Sequence, residues 1–275
     1  VRNHGLKERE KLLWNQSYWI PNRWCFKLGL STKIIAHRGA SEVAPENTLA
    51  SVISAFDQNA DGVEVDIRLT KDNQIVCHHD KSCLRTSGNS MTIKDSNYEE
   101  LGKLDIGSWF GDEWKEETIP LLGEVLDLIP NKKEIYIEVK TGTEIIEHLL
   151  KEIYKYKEKI SEVSIISFYP EVIKEIKLKA PELTANLLVN FEGPKLIEEN
   201  EIVSIMKKIN ADGIGAQNHK ALDVHFFNKI KGENKKVHVW TVNSKEEAKR
   251  YHELGLNSIT TNCPGIIKEY LSNSI

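Results

Sequence analysis

From Lys33 onward the chain repeats one alternation, and that repeat narrows the possible folds more than any single residue does. Eight apolar runs of strand length start near Ile34, Val63, Ile135, Val163, Leu183, Gly213, Val237 and Ser258. Segments with helical spacing lie between them, at Thr48–Asn59, Leu121–Ile129, Thr143–Lys157, Glu171–Lys179, Lys195–Ile209, Leu222–Lys231, Ser244–Leu254 and Ile266–Leu271. Runs rich in Ile and Val, without polar alternation, suit a parallel sheet covered by helices. Eight such strands, each paired with a helix, close most simply into an α/β fold of the (β/α)8 TIM-barrel type. An open doubly wound sheet is the competing arrangement. It usually carries a glycine-rich turn after its first strand, and the turn here reads HRGASEVAPENT. Gly62, Gly232 and Gly255 fall at helix-to-strand turns, where left-handed caps are expected. Ser244, followed three residues on by Glu247, predicts a capping box.

One segment breaks the rhythm. Residues 71–120, between the second and third repeat strands, are too long for a simple loop. Lys71-Asp72-Asn73 is a turn signal and Gln74–His79 is strand-like, so the second strand is predicted to fold back as a hairpin. Insertions after a barrel strand lie at the C-terminal face, where barrel sites are built, and a wall or lid over a site is expected there. The chain then divides into an aromatic-rich segment 1–32 and a barrel domain 33–275 with an insertion at about 71–120. Trp14, Trp19 and Trp24, half of the six tryptophans, lie in the first segment. By default such aromatics cap one end of the main domain; the alternative is an interface for a second protomer or for a membrane surface.

Composition sets outer limits. A hydrophobic content of 40% and a charged content of 28% are those of a globular protein. A net charge of −4 argues against general nucleic-acid binding, which usually needs a basic face. No run approaches the roughly 18–20 apolar residues of a membrane helix. No cationic stretch followed by an apolar core opens the chain, so no signal peptide is expected, although the sequence starts at Val1 and an upstream segment stays open. Cys25, Cys77, Cys83 and Cys263 form no CxxC pair, which favours free thiols and a cytoplasmic location.

The stretch from Lys33 to Asp80 holds far more polar chemistry than a folding core requires. Glu64 and Asp66 are two apart on one strand and share a face. Glu138, near the end of the next barrel strand, approaches them if all three point inward. Three buried carboxylates repel one another unless a cation neutralises them, and all-oxygen ligation favours Mg²⁺, Ca²⁺ or Mn²⁺ over zinc. His37 ends the first strand. The hairpin brings His79 opposite Asp66 if Asp72 and Asn73 are its two central residues, whereas a one-residue slip presents His78, so geometry alone does not choose between them. Two histidines beside a metal serve as general acid and base near neutral pH. Arg38 and Lys140 add positive charge suited to phosphate oxygens, with Lys140 equally readable as an ion-pair partner of Glu138. Trp240 ends the seventh strand, as core or as an apolar wall for a small substrate.

With these residues placed, the chain resembles the glycerophosphodiester phosphodiesterase family over about residues 33–270. The resemblance rests on HRGA, PENT, EVDIRLTKD, the His79-Asp80 pair, IEVK and VWTVN, in that order. It implies a TIM barrel with an insertion after the second strand and a divalent metal on Glu64, Asp66 and Glu138. It assigns the acid-base pair to His37 and His79, phosphate contacts to Arg38 and Lys140, glycerol contact to Trp240 and support to Glu46 and Asn47. The implied reaction is attack by the glycerol 2-hydroxyl through a cyclic phosphate that water opens, giving glycerol 3-phosphate and an alcohol. One departure is Thr260-Thr261-Asn262-Cys263-Pro264, where the family usually has an acid at the position of Asn262. That change is expected to leave the metal and histidine positions untouched. Two other readings stand beside this one: a lysophospholipase D-like enzyme acting on lipid diesters, and a non-catalytic phosphodiester-binding barrel. A Schiff-base role for Lys140 is disfavoured, because a lysine among carboxylates stays protonated.

Overall fold

The computed structural model describes residues 32–192 and 197–273, so the expectations for the N-terminal segment, apart from Thr32, lie outside the described residues. Nine strands run in chain order as β1 (Lys33–His37), β2 (Gly62–Leu69), β3 (Ile75–Cys77), β4 (Glu134–Val139), β5 (Val163–Ser167), β6 (Thr184–Val189), β7 (Gly213–Gln217), β8 (Lys236–Trp240) and β9 (Ser258–Thr261). Eight of them pair in parallel in the ring order β1-β2-β4-β5-β6-β7-β8-β9, and β9 returns to β1 and closes it. Closure leaves no exposed edge in the ring, and the predicted barrel is the observed one. The short β3 lies outside the ring, antiparallel to β2.

Among the described residues ten α-helices accompany the strands: α1 (Leu49–Asp57), α2 (Leu84–Ser87), α3 (Tyr98–Leu101), α4 (Leu122–Leu128), α5 (Ile146–Ile153), α6 (Pro170–Lys179), α7 (Glu199–Ile209), α8 (Val224–Gly232), α9 (Lys245–Glu253) and α10 (Pro264–Asn273). Capping explains several starts that periodicity misplaces. Thr48 accepts the Ser51 N–H, Asp223 the Phe226 N–H and Ser244 the Glu247 N–H, so each stands outside its helix as the N-cap. The predicted capping box at Ser244 is only half formed, because the Glu247 carboxylate turns to the Asn218 amide at 2.5 Å. Only Gly255 of the three expected caps is left-handed, at φ 68°, and Asn59, Asn210 and Asn234 fill comparable turns. Gly62 instead lies in β2, where a Cβ would collide with the Glu134 carbonyl of the neighbouring strand.

Side chains alternate across each strand. One set, including Val63, Val65, Ile135, Ile137, Ile165, Ile214 and Val239, packs against the helices as the main core. The other set fills the barrel interior, where Ile35, Tyr136, Ile166 and Leu188 meet beneath the half-buried Trp240. Val76 of β3 and the residues between β3 and α4 gather a small core of their own, with Cys83, Ile93, Leu101, Ile106 and Ile119. Cys77, Cys83 and Cys263 are buried free thiols. Among the described residues no helix is long and apolar enough to cross a membrane.

The barrel interior also encloses His238. Its Nδ1 lies 2.9 Å from the Ser258 hydroxyl, its Nε2 2.7 Å from the Thr260 hydroxyl, and its ring stacks on Tyr136 at 5.0 Å. Burial pushes its pKa from 6.5 to about 3. The unfolded chain therefore takes up a proton that the folded one refuses. Stability is complete above the unfolded pKa and is lost as the pH falls from 6.5 toward 3, by at most about 1.4 kcal/mol per pH unit. His238→Gln should lower stability at pH 7 yet lose less between pH 6.5 and 4 than the parent. Urea midpoints at the two pH values check this, and parallel losses in both proteins would count against it.

Candidate active site

Strand register assembles the site. In β1–β2 pairing His37 stands beside Glu64, and in β2–β4 pairing Asp66 stands beside Glu138. Two inward residues of β2 thus meet one inward residue from each neighbour, near the C-terminal ends of the strands. One oxygen from each of Glu64, Asp66 and Glu138 lies within 4.8 Å of the others, and all three residues are buried.

Two cations partly balance them. Arg38, held left-handed at φ 57°, donates its backbone N–H to Glu64 Oε2 at 2.9 Å. Its Nη1 donates to Glu46 Oε1 at 2.9 Å, and its Nε lies 3.1 Å from Asp66 Oδ2. Lys140 Nζ stands 2.6 Å from Glu138 Oε1 and 3.1 Å from Asp66 Oδ1, so its ion-pair reading holds. Asn47 exchanges two 2.9 Å hydrogen bonds with Asp66, one to Oδ2 and one from the backbone N–H.

The balance is uneven. Burial raises Asp66, but Arg38 and Lys140 outweigh it and hold this carboxyl below the usual range. Burial and the charges of Asp66 and Glu138 push Glu64 well up, and burial with Asp66 lifts Glu138 to about 7. Glu64 Oε1 is buried and accepts no hydrogen bond among the described residues. Three carboxylates against two cations, with an unpartnered oxygen among them, fit a hard divalent cation with oxygen ligands.

The histidines do not follow the predicted hairpin. The turn has three central residues, Lys71, Asp72 and Asn73, with Asn73 left-handed at φ 61°. Ile67 then pairs with Cys77, and the His78 N–H donates to the Asp66 carbonyl at 2.9 Å, so His78 rather than His79 is opposite Asp66. The ladder ends at Cys77, however, and the His78 ring turns away to Thr86 at 3.2 Å and the Asp80 carbonyl at 3.0 Å. His79 is the one that feels the charges of Asp66, Arg38 and Lys140, and its Nδ1 sits 2.7 Å from Asp80 Oδ1. On the far side His37 Nδ1 lies 2.7 Å from Asn262 Oδ1. The expectation that the change at Asn262 leaves the histidines untouched is thereby corrected, because the end of β9 delivers this side chain to His37. Burial, then Arg38, lowers His37 to about 4, and burial lowers His79.

The sequence singles out Asn262 but not its contact with His37, and two further participants escape the sequence reading. Arg68 follows Asp66 by two on the same strand face, a spacing that could have flagged it; its Nη2 donates to the His79 carbonyl at 2.6 Å. Arg85, on α2, donates to Asp80 Oδ2 at 2.7 Å and to both oxygens of Glu46 at 2.8–2.9 Å. It ties the partner of His79 to the partner of Arg38, and no periodicity in residues 71–120 points to it. Trp240 donates its indole N–H to the Gly215 carbonyl at 3.1 Å and meets Phe168 edge to face at 5.5 Å.

A closed barrel with a buried carboxylate triad, two cations and two histidines at one end has the constitution of a barrel hydrolase for an anionic substrate. Residues 37–266 match the model of the glycerophosphoryl diester phosphodiesterase family. A glycerophosphodiester phosphodiesterase of Caldanaerobacter subterraneus is 34% identical over 249 residues, covering 86% of this chain and 96% of the relative. One from Bacillus subtilis is 30% identical over 253 residues, covering 84% of each. An Oleispira antarctica phosphodiesterase, solved in complex with the product sn-glycerol 3-phosphate, superposes with a TM-score of 0.75 at 28% identity over 90% of this chain and 99% of that one. The chain belongs to the glycerophosphoryl diester phosphodiesterase family and is a phosphoric diester hydrolase.

If the triad holds a cation, ligand and protein stability are linked by mass action, about 2.7 kcal/mol at a hundredfold excess over Kd. Added Mg²⁺, Ca²⁺ or Mn²⁺ should raise the melting temperature of the parent. Glu64→Gln removes one of three repelling acids, so its metal-free melting temperature should match or exceed the parent's while most of the metal-induced rise disappears. An equal rise in both proteins, measured by scanning fluorimetry, would remove Glu64 from the ligand set.

Proposed function

We propose that the protein hydrolyses glycerophosphodiesters to glycerol 3-phosphate and an alcohol, with His37 and His79 as the acid-base pair beside a divalent cation on Glu64, Asp66 and Glu138. The observation that carries this reading is a buried carboxylate triad whose Asp66 acts electrostatically on both His37 and His79, each histidine having its own side-chain partner. The product bound to the Oleispira phosphodiesterase supports it. When bound, the cation, Mg²⁺, Ca²⁺ or Mn²⁺, supplies charge that neutralises the phosphate and acidifies a nucleophilic hydroxyl.

The remaining work falls to side chains. Arg38, fixed by Glu46 and Asp66, and Lys140, fixed by Glu138 and Asp66, present positive charge to the phosphate oxygens without needing to reorganise. His37 stays neutral, and with Nδ1 directed at Asn262 its Nε2 is left to accept the proton of the attacking hydroxyl. Burial lowers His79, and the Asp80 carboxylate at its Nδ1 works against that lowering and steadies the imidazolium that donates a proton to the departing alcohol oxygen as the P–O bond breaks. Trp240 forms the apolar wall for glycerol, and Glu46 and Asn47 hold Arg38 and Asp66 in place.

His37→Ala and His79→Ala should each lower turnover of glycerophosphocholine by about 10²- to 10⁴-fold with the circular dichroism spectrum unchanged. Chelation should abolish activity, and adding back Mg²⁺, Ca²⁺ or Mn²⁺ ranks the metals. Parent-like turnover in both variants would overturn the assignment.

A further inference from the structure

Beside the triad, a cavity of about 650 Å³ runs outward between the end of β4 and the region that follows β3. Five cations line it: Arg68, Lys71, Lys81, Lys94 and Lys140. Only two carboxylates do so, Asp95 and Glu144, and each is already engaged, Asp95 by the Thr92 hydroxyl and Glu144 by the Gly142 N–H. Lys140 is the inner end of the cavity, since it pairs with Asp66 and Glu138. Arg68 stands next to it, with its guanidinium spent on the carbonyls of His79 and Lys140 rather than on any acid. Lys71, Lys81 and Lys94 enter no ion pair among the described residues. A chain of formal net charge −4 thus sets five cations against two carboxylates along one groove beside its site, three of the cations being lysines without an ion pair among the described residues.

The ring order sets this groove opposite Trp240. Eight strands close the barrel, and β4 lies diametrically across it from β8, which carries Trp240. If glycerol rests on Trp240, the other ester substituent leaves toward β4 and enters the groove. We infer that this groove receives the alcohol portion of the diester and selects alcohols carrying a further phosphate. The inference rests on the hydrolytic reading above. A field of one sign within low-dielectric walls draws such a substituent in, and the attraction weakens with salt.

The test compares glycerophosphoglycerol with the same compound phosphorylated on its distal glycerol. The parent enzyme should show at least a tenfold higher kcat/KM for the phosphorylated compound, carried mainly by KM, and the ratio should shrink between about 20 and 500 mM salt. In the double variant K81Q/K94Q the ratio should fall about tenfold. Equal kcat/KM for the two compounds in the parent would overturn the inference and leave the hydrolytic reading intact, as would a preference insensitive to both salt and the double substitution. Failure to cleave either compound with metal present would overturn the hydrolytic reading, and this inference with it.

Discussion

The repulsion among Glu64, Asp66 and Glu138 is the constraint on which the surrounding architecture depends. Parallel pairing fixes the two side chains of β2 against one of β4, and no rotamer can separate buried acids on adjacent strands by much. Arg38 and Lys140 both reach Asp66, and Asn47 adds two hydrogen bonds to the same residue. The central acid is thereby kept ionised while its neighbours are left short of positive charge. Stability is given up at this spot to hold three acids together in an arrangement that could bind a cation.

The support extends outward in chains rather than shells. Asp66 leads through Arg38 to Glu46, from Glu46 to Arg85, and from Arg85 to Asp80 and His79. The turn between β1 and α1 supplies Arg38, Glu46 and Asn47 from ten consecutive residues, with Thr48 closing the run as the N-cap. The left-handed backbone at Arg38 and Asn47 turns both side chains into the site, and other structure must hold such conformations in place.

The barrel was legible because each Ile- and Val-rich run was bounded by helical periodicity, and eight repeats leave little alternative. The triad was legible for a related reason: acids embedded in Val63-Glu64-Val65-Asp66-Ile67 cannot be solvated, so their partners had to be sought. Register was harder. Lys71-Asp72-Asn73 reads as a turn in either of two lengths, and one residue of difference exchanges the partners of Asp66. The end of the ladder at Cys77, which no local pattern announces, frees His78 and His79 from strict strand alternation. The contact of Asn262 with His37 and the role of Arg85 were missed because they span 225 and 39 residues of chain, which periodicity cannot report.

The two histidines have different structural parentage. His37 belongs to the closed ring, whereas His79 is borne on the return arm of β3, in a region whose apolar residues cluster separately from the main core. On the proposed mechanism, ion binding and proton delivery therefore fall to parts of the protein that need not lose order together. A partial loosening of the appended region would then leave the triad in place without one of the two proposed proton carriers, so turnover would fail before the fold did.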